Sequence, residues 1–271
     1  MAKVLKFGVE IEFFGVRREV VEQALIRAGV NASTEAYNHN TRNYWKLVTD
    51  ASVNSTDCYN RNNRGNEIVS PILYGEEGLR ELELVCKILG ECGAKVDKTC
   101  GVHVHHDVNG FSIQQLKNIY ITYFRSNKAI DGIMPESRRS SKNPRFCRAM
   151  DEGYIRRVMN CGTIDDMKYG LSQRYYTVNF CSYVKYGTVE FRQHGGSVEF
   201  EKIGAWVKLT HRICEASKTN YTLTLTDDMV NEKVGASKWY VLKLIGNKQP
   251  ELKEWFLKRF EYFRNNGVRV G

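Results

Sequence analysis

The stretch FGVEIEFF at residues 7–14 predicts a buried β-strand that carries two carboxylates. Side chains alternate along a strand, so Glu10 and Glu12 point to one face while the apolar residues beside them point to the other. Two carboxylates on an otherwise apolar strand are costly to bury unless a cation compensates their charge. We therefore expect a divalent cation at this face, with further ligands from other parts of the chain.

The length and composition narrow the class of protein. The chain has 271 residues, enough for one large domain or two small ones. Its formal net charge of +9 favours polyanionic partners such as nucleotides, nucleic acids or acidic polymers. No apolar run approaches the roughly 20 residues that span a bilayer, and the first residues lack the apolar core of a secretory signal. Eight cysteines without a signal peptide indicate reduced thiols, so we expect a cytoplasmic protein without a membrane partner. None of the cysteines lies in a CxxC pair, which argues against a zinc ribbon or a thioredoxin-type motif.

Hydrophobic periodicity and turn residues predict an α+β protein. The predicted helices cover residues 17–28, 76–90, 112–130 and 199–217, two short segments after residue 148, and most of 221–265. Ser112 and Thr163 are the predicted caps of two of these helices. The predicted strands cover residues 7–14, 43–53, 66–73, 102–106, 174–180 and 188–194. A turn near Gly187 would join the last two strands as a hairpin, which indicates a mostly antiparallel sheet with helices on one face.

Polar residues recur at every second position in several of these strands. They are Glu10 with Glu12, Glu67, His103 with His105, and Glu190 with Arg192 and His194. The residues between them are mostly apolar, so we expect the polar set to line an open groove on the uncovered face of the sheet. Carboxylates with an occasional imidazole suit Mg²⁺ or Mn²⁺ better than structural zinc, and Mg²⁺ in proteins is usually completed by substrate phosphates. An arginine beside these ligands would bind a phosphoryl or carboxylate group with two hydrogen bonds.

Seven short motifs occur in the order seen in the amidoligases, which are similar to glutamine synthetase and glutamate–cysteine ligase. They are FGVEIEFF (7–14), WKLVTDAS (45–52), NEIVSPIL (66–73), CGVHVHHD (100–107), PESRR (135–139), RYYTVNF (174–180) and TVEFRQHGGS (188–197). This resemblance covers about residues 7–215. It implies a curved antiparallel sheet, like the catalytic domain of glutamine synthetase, that binds ATP and two or three Mg²⁺ or Mn²⁺ ions in its groove. On this basis residues 1–220 are expected to form the catalytic domain, and 221–271 a mainly helical extension packed on it.

The resemblance also implies roles for individual residues. The implied metal ligands are Glu10, Glu12, Glu67, His103 and Glu190. Arg192 is implied to bind phosphate, and Arg174 to stabilise charge in the transition state. His105 and Asn179 are implied to contact the nucleotide or substrate. The Arg138–Arg139 segment is expected to close over the groove and exclude water, the alternative being a solvated basic loop.

The implied reaction joins a carboxylate to an amine. ATP phosphorylates the carboxylate, and the amine displaces phosphate to form an amide or isopeptide bond. The acid and the amine are not identified, so free amino acid, peptide, protein and modified nucleic acid all stay open, as does a homo-oligomer. Three alternatives also stay open: a phosphotransferase to a nitrogen acceptor, a metal-dependent hydrolase, and a basic nucleic-acid-binding protein using residues 135–148 and the C-terminal helix.

Overall fold

The computed structural model describes residues 5–54, 65–140, 146–219, 221 and 223–266. The chain divides into two compact units. The first consists of Met1–His105 with His194–Val207, and the second of His106–Gln193 with Lys208–Gly271. No helix within the described ranges is both long enough and apolar enough to cross a membrane.

The first unit is built around a sheet. Its strands are β1 (Lys6–Phe13), β2 (Ala32–Thr34), β3 (Trp45–Thr49), β4 (Asn66–Val69), β5 (Leu73–Tyr74) and the first five residues of β6 (Gly101–Asp107). The strand order is β2-β3-β4-β1-β6, and β5 pairs with β1. β1 runs antiparallel to β4 and β5, β3 runs antiparallel to β4, and only the short edge strand β2 is parallel to its neighbour β3. The predicted strand at 66–73 is interrupted next to Pro71, which cannot donate a ladder hydrogen bond.

Two predicted helices of the first unit are confirmed, α1 (Arg18–Arg27) and α2 (Gly75–Glu91). α1 ends just before Gly29, whose φ of +82° is a conformation that glycine adopts without strain. Helix α1 packs against β2, β3 and α2. The apolar face of β1 is fully buried in this core, so the carboxylates of β1 lie on the opposite face.

The second unit is mainly helical. Its elements are α3 (Ile113–Asp131), α4 (Glu152–Asn160), α5 (Ile164–Gly170), β7 (Val178–Asn179), α6 (Cys181–Tyr186), most of β8 (Thr188–Gly195), the second half of α7 (Phe200–Ala216), α8 (Asp227–Val230), α9 (Val234–Ile245) and α10 (Pro250–Asn265). Ser112 and Thr163 form the predicted capping boxes of α3 and α5. The tail is helical as predicted, and α9 packs against α3, where the Ser237 hydroxyl donates to the Arg125 carbonyl at 2.7 Å. The division of the chain at residue 220 stays a prediction.

The predicted hairpin of 174–180 with 188–194 is wrong in its first strand and in its turn. β7 contains only two residues, which pair antiparallel with β8 so that Asn179 lies opposite Glu190. Helix α6 replaces the turn, because the Asn179 side chain accepts a hydrogen bond from the Cys181 amide at 2.9 Å and so starts a helical segment. Arg174 consequently lies in an exposed turn rather than in a strand. The predicted α+β class, with a mostly antiparallel sheet and helices, is confirmed.

Candidate active site

The polar face of the first unit concentrates negative charge by its strand register. Glu12 on β1 is the direct cross-strand partner of Glu67 on β4, and Glu10 lies one row away on the same face. Like charges directly opposite each other destabilise a sheet. Glu12 is 5% exposed, so water screens this pair poorly. The register therefore places the charges of Glu12 and Glu67 where they repel each other, and a bound cation would remove this repulsion.

Two histidines of β6 contact these carboxylates. His103 Nδ1 lies 3.1 Å from Glu10 Oε2, and His103 Nε2 lies 3.7 Å from Glu12 Oε1. His105 Nε2 lies 3.3 Å from Glu10 Oε1. The Gly101 amide donates to Glu12 Oε2 at 2.6 Å. Glu10 thus holds both imidazoles and orients His103, as carboxylates commonly do for histidines that bind metal.

The carboxylates of this face differ in their tendency to ionise. The pKa of Glu10 lies well below the ordinary value of a glutamate. Burial alone would raise this pKa, but the hydrogen bonds from His103 and His105 and the charge of their imidazoles lower it by more. The pKa of Glu67 is raised well above the ordinary value, first by burial and then by the charges of Glu10, Asp50 and Glu12. Glu67 therefore holds a proton more tightly than a free carboxyl does, and a cation bound at this face would displace that proton.

The residues that best fit a metal ion are Glu12, Glu67 and His103. One ligand atom from each lies within 4.8 Å of the others. Two carboxylates and one imidazole are a suitable donor set for Mg²⁺ or Mn²⁺. Three of the five predicted ligands are thus brought together, and Glu10 is linked to them through His103. The role of Glu190, which belongs to the second unit, stays a prediction.

Lys46 of β3 also lies on this face, although no pattern in the sequence marks it as a site residue. Lys46 is paired with Val69, which is in turn paired with Glu10, so the three share one row of the sheet. The ammonium is buried and donates to the carbonyl oxygens of Asn38 and Asn40, each at 2.9 Å. Its pKa is lowered by burial, although the charge of Glu67 opposes that effect. Lys46 thus fixes the segment before β3 at the edge of the acidic face.

The second unit holds a buried acid–base pair on β8. Glu190 is ion-paired with Arg192, and it accepts a hydrogen bond from Asn179 Nδ2 at 2.6 Å. The pKa of Cys181 is raised, mainly by burial and then by the charge of Glu190, while Arg174 and Arg192 act in the opposite direction. The predicted residues Asn179, Glu190 and Arg192 are therefore brought together within this unit, whereas Arg174 lies in the exposed turn before β7.

The Arg138–Arg139 segment is buried, so a solvated loop is wrong for these two residues. Ser140, which follows them, donates to Asp131 Oδ1 from its amide and its hydroxyl, each at 2.9 Å. Gln193 of β8 also donates to Asp131. Asp131 thus ties the segment to the residue that follows Arg192. Residues 141–145 of the predicted basic loop lie outside the described residues, and closure over a groove stays a prediction.

Comparisons with known proteins agree with the motif pattern. The family described as "Putative amidoligase enzyme" matches residues 3–214. Comparison with curated proteins gave no match.

The chain is also similar to several solved structures. A novel glutamine synthase homolog shares 11% identity at a TM-score of 0.47, over 98% of this chain and 68% of that chain. A bifunctional glutathione synthetase from Pasteurella multocida shares 11% identity at a TM-score of 0.46, over 95% of this chain and 48% of the other. The complex of the prokaryotic ubiquitin-like protein Pup with its ligase PafA shares 12% identity at a TM-score of 0.39, over 98% of this chain and 70% of the other.

The family match covers most of the chain. It includes both groups of side chains described above, the acidic face of the first unit and the Glu190–Arg192 pair of the second. Helices α8 to α10 lie beyond it. The chain belongs to the amidoligase family, and it is therefore a carbon–nitrogen ligase that joins a carboxylate to an amine.

Proposed function

We propose that this amidoligase uses ATP and Mg²⁺ to form an amide or isopeptide bond through an acyl phosphate. The observation that carries the proposal is the direct pairing of Glu12 with Glu67 beside His103. Mg²⁺ is usually bound by one or two carboxylates and completed by substrate phosphates, and this donor set leaves room for such completion. Mn²⁺ would fit the same ligands.

Glu12, Glu67 and His103 would hold the divalent ion, and Glu10 would keep His103 oriented. When bound, the ion would supply positive charge against the phosphates of ATP. We also propose Glu10 and Glu190 as metal ligands, because both lie in motifs that resemble those of the amidoligases.

The reaction brings two anions together before it joins the substrates. A carboxylate oxygen attacks the γ-phosphorus of ATP and ADP leaves. The amine nitrogen then attacks the acyl carbon, phosphate leaves, and the nitrogen loses a proton. Fixed positive charge lowers the barrier of the first step most, because it stabilises charge where two anions meet.

Arginines of the second unit are suited to supply that fixed charge. Arg192 is immobilised by Glu190, which Asn179 holds in turn, so its guanidinium needs little rearrangement to bind a phosphoryl group. We assign transition-state stabilisation to Arg174, Arg138 and Arg139 as well, and nucleotide contacts to His105 and Asn179. The cytoplasmic location and a homo-oligomer stay predictions.

The test measures whether an oxygen atom of the carboxylate substrate appears in the released phosphate, in addition to measuring the amide product. The protein is incubated with ATP, Mg²⁺, hydroxylamine as a general amine, and a panel of amino acids and acidic peptides whose carboxylates carry heavy oxygen. An acyl phosphate transfers one carboxylate oxygen to the released phosphate, so we expect one heavy oxygen in phosphate for each hydroxamate formed. Glu12→Gln should abolish this transfer, and Glu83→Gln, on the exposed side of α2, should retain it.

Two results would contradict the proposal. A stable phosphorylated product without an amide would indicate a phosphotransferase. Cleavage of a substrate with no requirement for ATP would indicate a metal-dependent hydrolase.

A further inference from the structure

An open cavity of about 790 Å³ lies in the first unit. Its wall is formed by the residues just after α1, the segment before β3, the residues around β5 and the first half of α2. Because Lys46 points to the acidic face, its neighbour Trp45 points to the opposite, helix-covered face, where it lines the cavity. The cavity is therefore separate from the candidate metal site, and its volume is typical of sites for small molecules.

Apolar and aromatic side chains around this cavity are left in contact with water. Tyr74 is 53% exposed, Ile72 is 45% exposed and Leu84 is 36% exposed, and all three line the cavity. The side chains of Tyr44 and Trp45 line it as well. A concave wall of this kind, with a few polar groups among apolar ones, is typical of sites that bind the apolar body of a ligand.

Arg42 contributes little net charge to the cavity, because Glu35 compensates it. Glu35 accepts hydrogen bonds from Arg42 Nε at 2.7 Å and from Arg42 Nη2 at 2.8 Å, and it also accepts one from the Tyr44 hydroxyl. A guanidinium held by both oxygens of one carboxylate has a fixed geometry. The same carboxylate holds the Tyr44 ring in the cavity wall, so this side of the cavity is preformed and close to neutral.

Helix α2 gives the cavity its negative character. Glu77, Arg80 and Glu81 recur at the spacing of one helix face, and all three line the cavity. Glu81 accepts a hydrogen bond from the Trp45 indole at 2.6 Å, but that donor is neutral and does not offset the charge of the carboxylate. In the part of the chain that the structure describes, Glu77 and Arg80 have no hydrogen bond or ion pair. Two carboxylates thus line the cavity against one uncompensated guanidinium, in a chain whose net charge is +9.

We propose that this cavity binds a small organic amine, in which an ammonium adjoins an apolar or aromatic body. Glu77 and Glu81 are four residues apart on α2, a spacing at which like charges repel, and an ammonium beside them would remove that repulsion. The apolar body would lie against Ile72, Tyr74 and Leu84, where the Tyr74 ring also attracts a cation. A nucleotide would meet the excess negative charge. The site lies on the opposite face of the sheet from the acidic residues, so its ligand is independent of the ligase chemistry proposed above.

The test uses three probes that share a phenyl ring and differ in charge: phenethylamine, phenylalanine and phenylpropionate. Each is titrated into the full chain without nucleotide or metal, and NMR follows the indole N–H of Trp45, which donates to Glu81. Trp45→Phe identifies that signal among those of the four tryptophans. The variants are Glu77→Gln and Arg80→Gln, and the matched control is Glu83→Gln, at an exposed position of α2 outside the cavity. Circular dichroism confirms that all of them are folded.

We expect phenethylamine to shift the Trp45 signal saturably and phenylpropionate to leave it unchanged. Affinity for the amine should fall roughly threefold to tenfold in Glu77→Gln, rise by a similar factor in Arg80→Gln, and stay unchanged in Glu83→Gln. The proposal is overturned if the folded wild type shows no saturable shift with the amine, if phenylpropionate binds as tightly, or if the control weakens binding as much as Glu77→Gln. Tighter binding of phenylalanine that Arg80→Gln abolishes would also overturn it, because the site would then select a zwitterion.

Discussion

The carboxylates of Glu10 and Glu67 give the metal-free protein opposite responses to pH. The folded pKa of Glu67 is raised, so folding binds a proton there and its contribution to stability falls as pH rises above the ordinary value of 4.5. The folded pKa of Glu10 is lowered, so its contribution is present above that value and is lost as pH falls through the folded pKa. Near neutral pH, Glu67 is therefore the residue whose charge opposes folding.

Glu67→Gln should stabilise the metal-free protein while removing its response to metal. The amide keeps the shape of the side chain but places no charge opposite Glu12, so the free energy of unfolding should rise by on the order of 1 kcal/mol at neutral pH. Urea denaturation in the presence of a chelator measures this, and the gain should shrink at mildly acidic pH. Mn²⁺ should then stabilise the wild type but not the variant. A variant less stable than the wild type at neutral pH without metal would contradict this assignment.

Lys46 should act on metal and nucleotide in opposite directions. Removing its charge in Lys46→Met relieves repulsion of a cation at Glu67 and also removes attraction for an anion. We expect Mn²⁺ affinity to rise and ATP affinity to fall, each by roughly threefold to tenfold. Calorimetric titrations with each ligand measure both effects, and Lys46→Arg should restore the wild-type values. Loss of both affinities in Lys46→Met would mean that Lys46 only maintains the fold.

At the scale of elements, Asp131 joins the end of α3 to β8 and to the arginine segment. Its carboxylate accepts hydrogen bonds from Ser140 and Gln193, and the Tyr123 hydroxyl donates to Gln193 Oε1 at 2.6 Å. The charge of Asp131 also opposes the effect of burial on the pKa of Arg139, which is lowered. One carboxylate thus organises three elements of the second unit.

Asp131→Asn should destabilise the protein by about 2 kcal/mol, because charge-assisted hydrogen bonds become neutral and a buried guanidinium loses its counter-charge. Chemical denaturation measures the change. Asp165→Asn, at an exposed ion pair in the same unit, should stay within about 0.5 kcal/mol of the wild type. Equal stability of the two variants would show that the Asp131 hydrogen bonds contribute little.

Elements whose signals are local were predictable from sequence, and those fixed by tertiary context were not. The capping boxes of Ser112 and Thr163 use residues three apart, so they mark helix starts without reference to the rest of the fold. β2 contains only three residues, too few to show an alternating pattern. The motif around Arg174 alternates like a strand, but the Asn179 side chain starts α6 instead.

At the scale of the whole molecule, periodicity identified which residues share a face but not which of them meet. Glu10 and Glu12 were placed on one face correctly, whereas the pairing of Glu12 with Glu67 depends on the register of β1 with β4. Lys46 could not be assigned to the site from the sequence, because the next residue on its side of the strand, Val48, is apolar and shows no polar alternation. Asp131 was missed because it ends an amphipathic helix, where a carboxylate is ordinarily solvated.

The family match and the structure divide the chain differently. The match ends at residue 214, yet the later helices are integral to the second unit. Helix α9 packs on α3, and the Arg259 guanidinium of α10 donates to the Ile133 carbonyl at 2.9 Å. The C-terminal helices therefore support the segment that precedes Arg138 and Arg139.

The most direct test of this account is a Mn²⁺ titration of the nucleotide-free protein, followed by electron paramagnetic resonance. It compares the wild type with Glu12→Gln and with the exposed control Glu83→Gln. The account predicts saturable binding by the wild type and the control, and affinity at least about tenfold lower in Glu12→Gln. Equal binding by all three proteins, or no binding by the folded wild type, would contradict a metal centre at Glu12, Glu67 and His103.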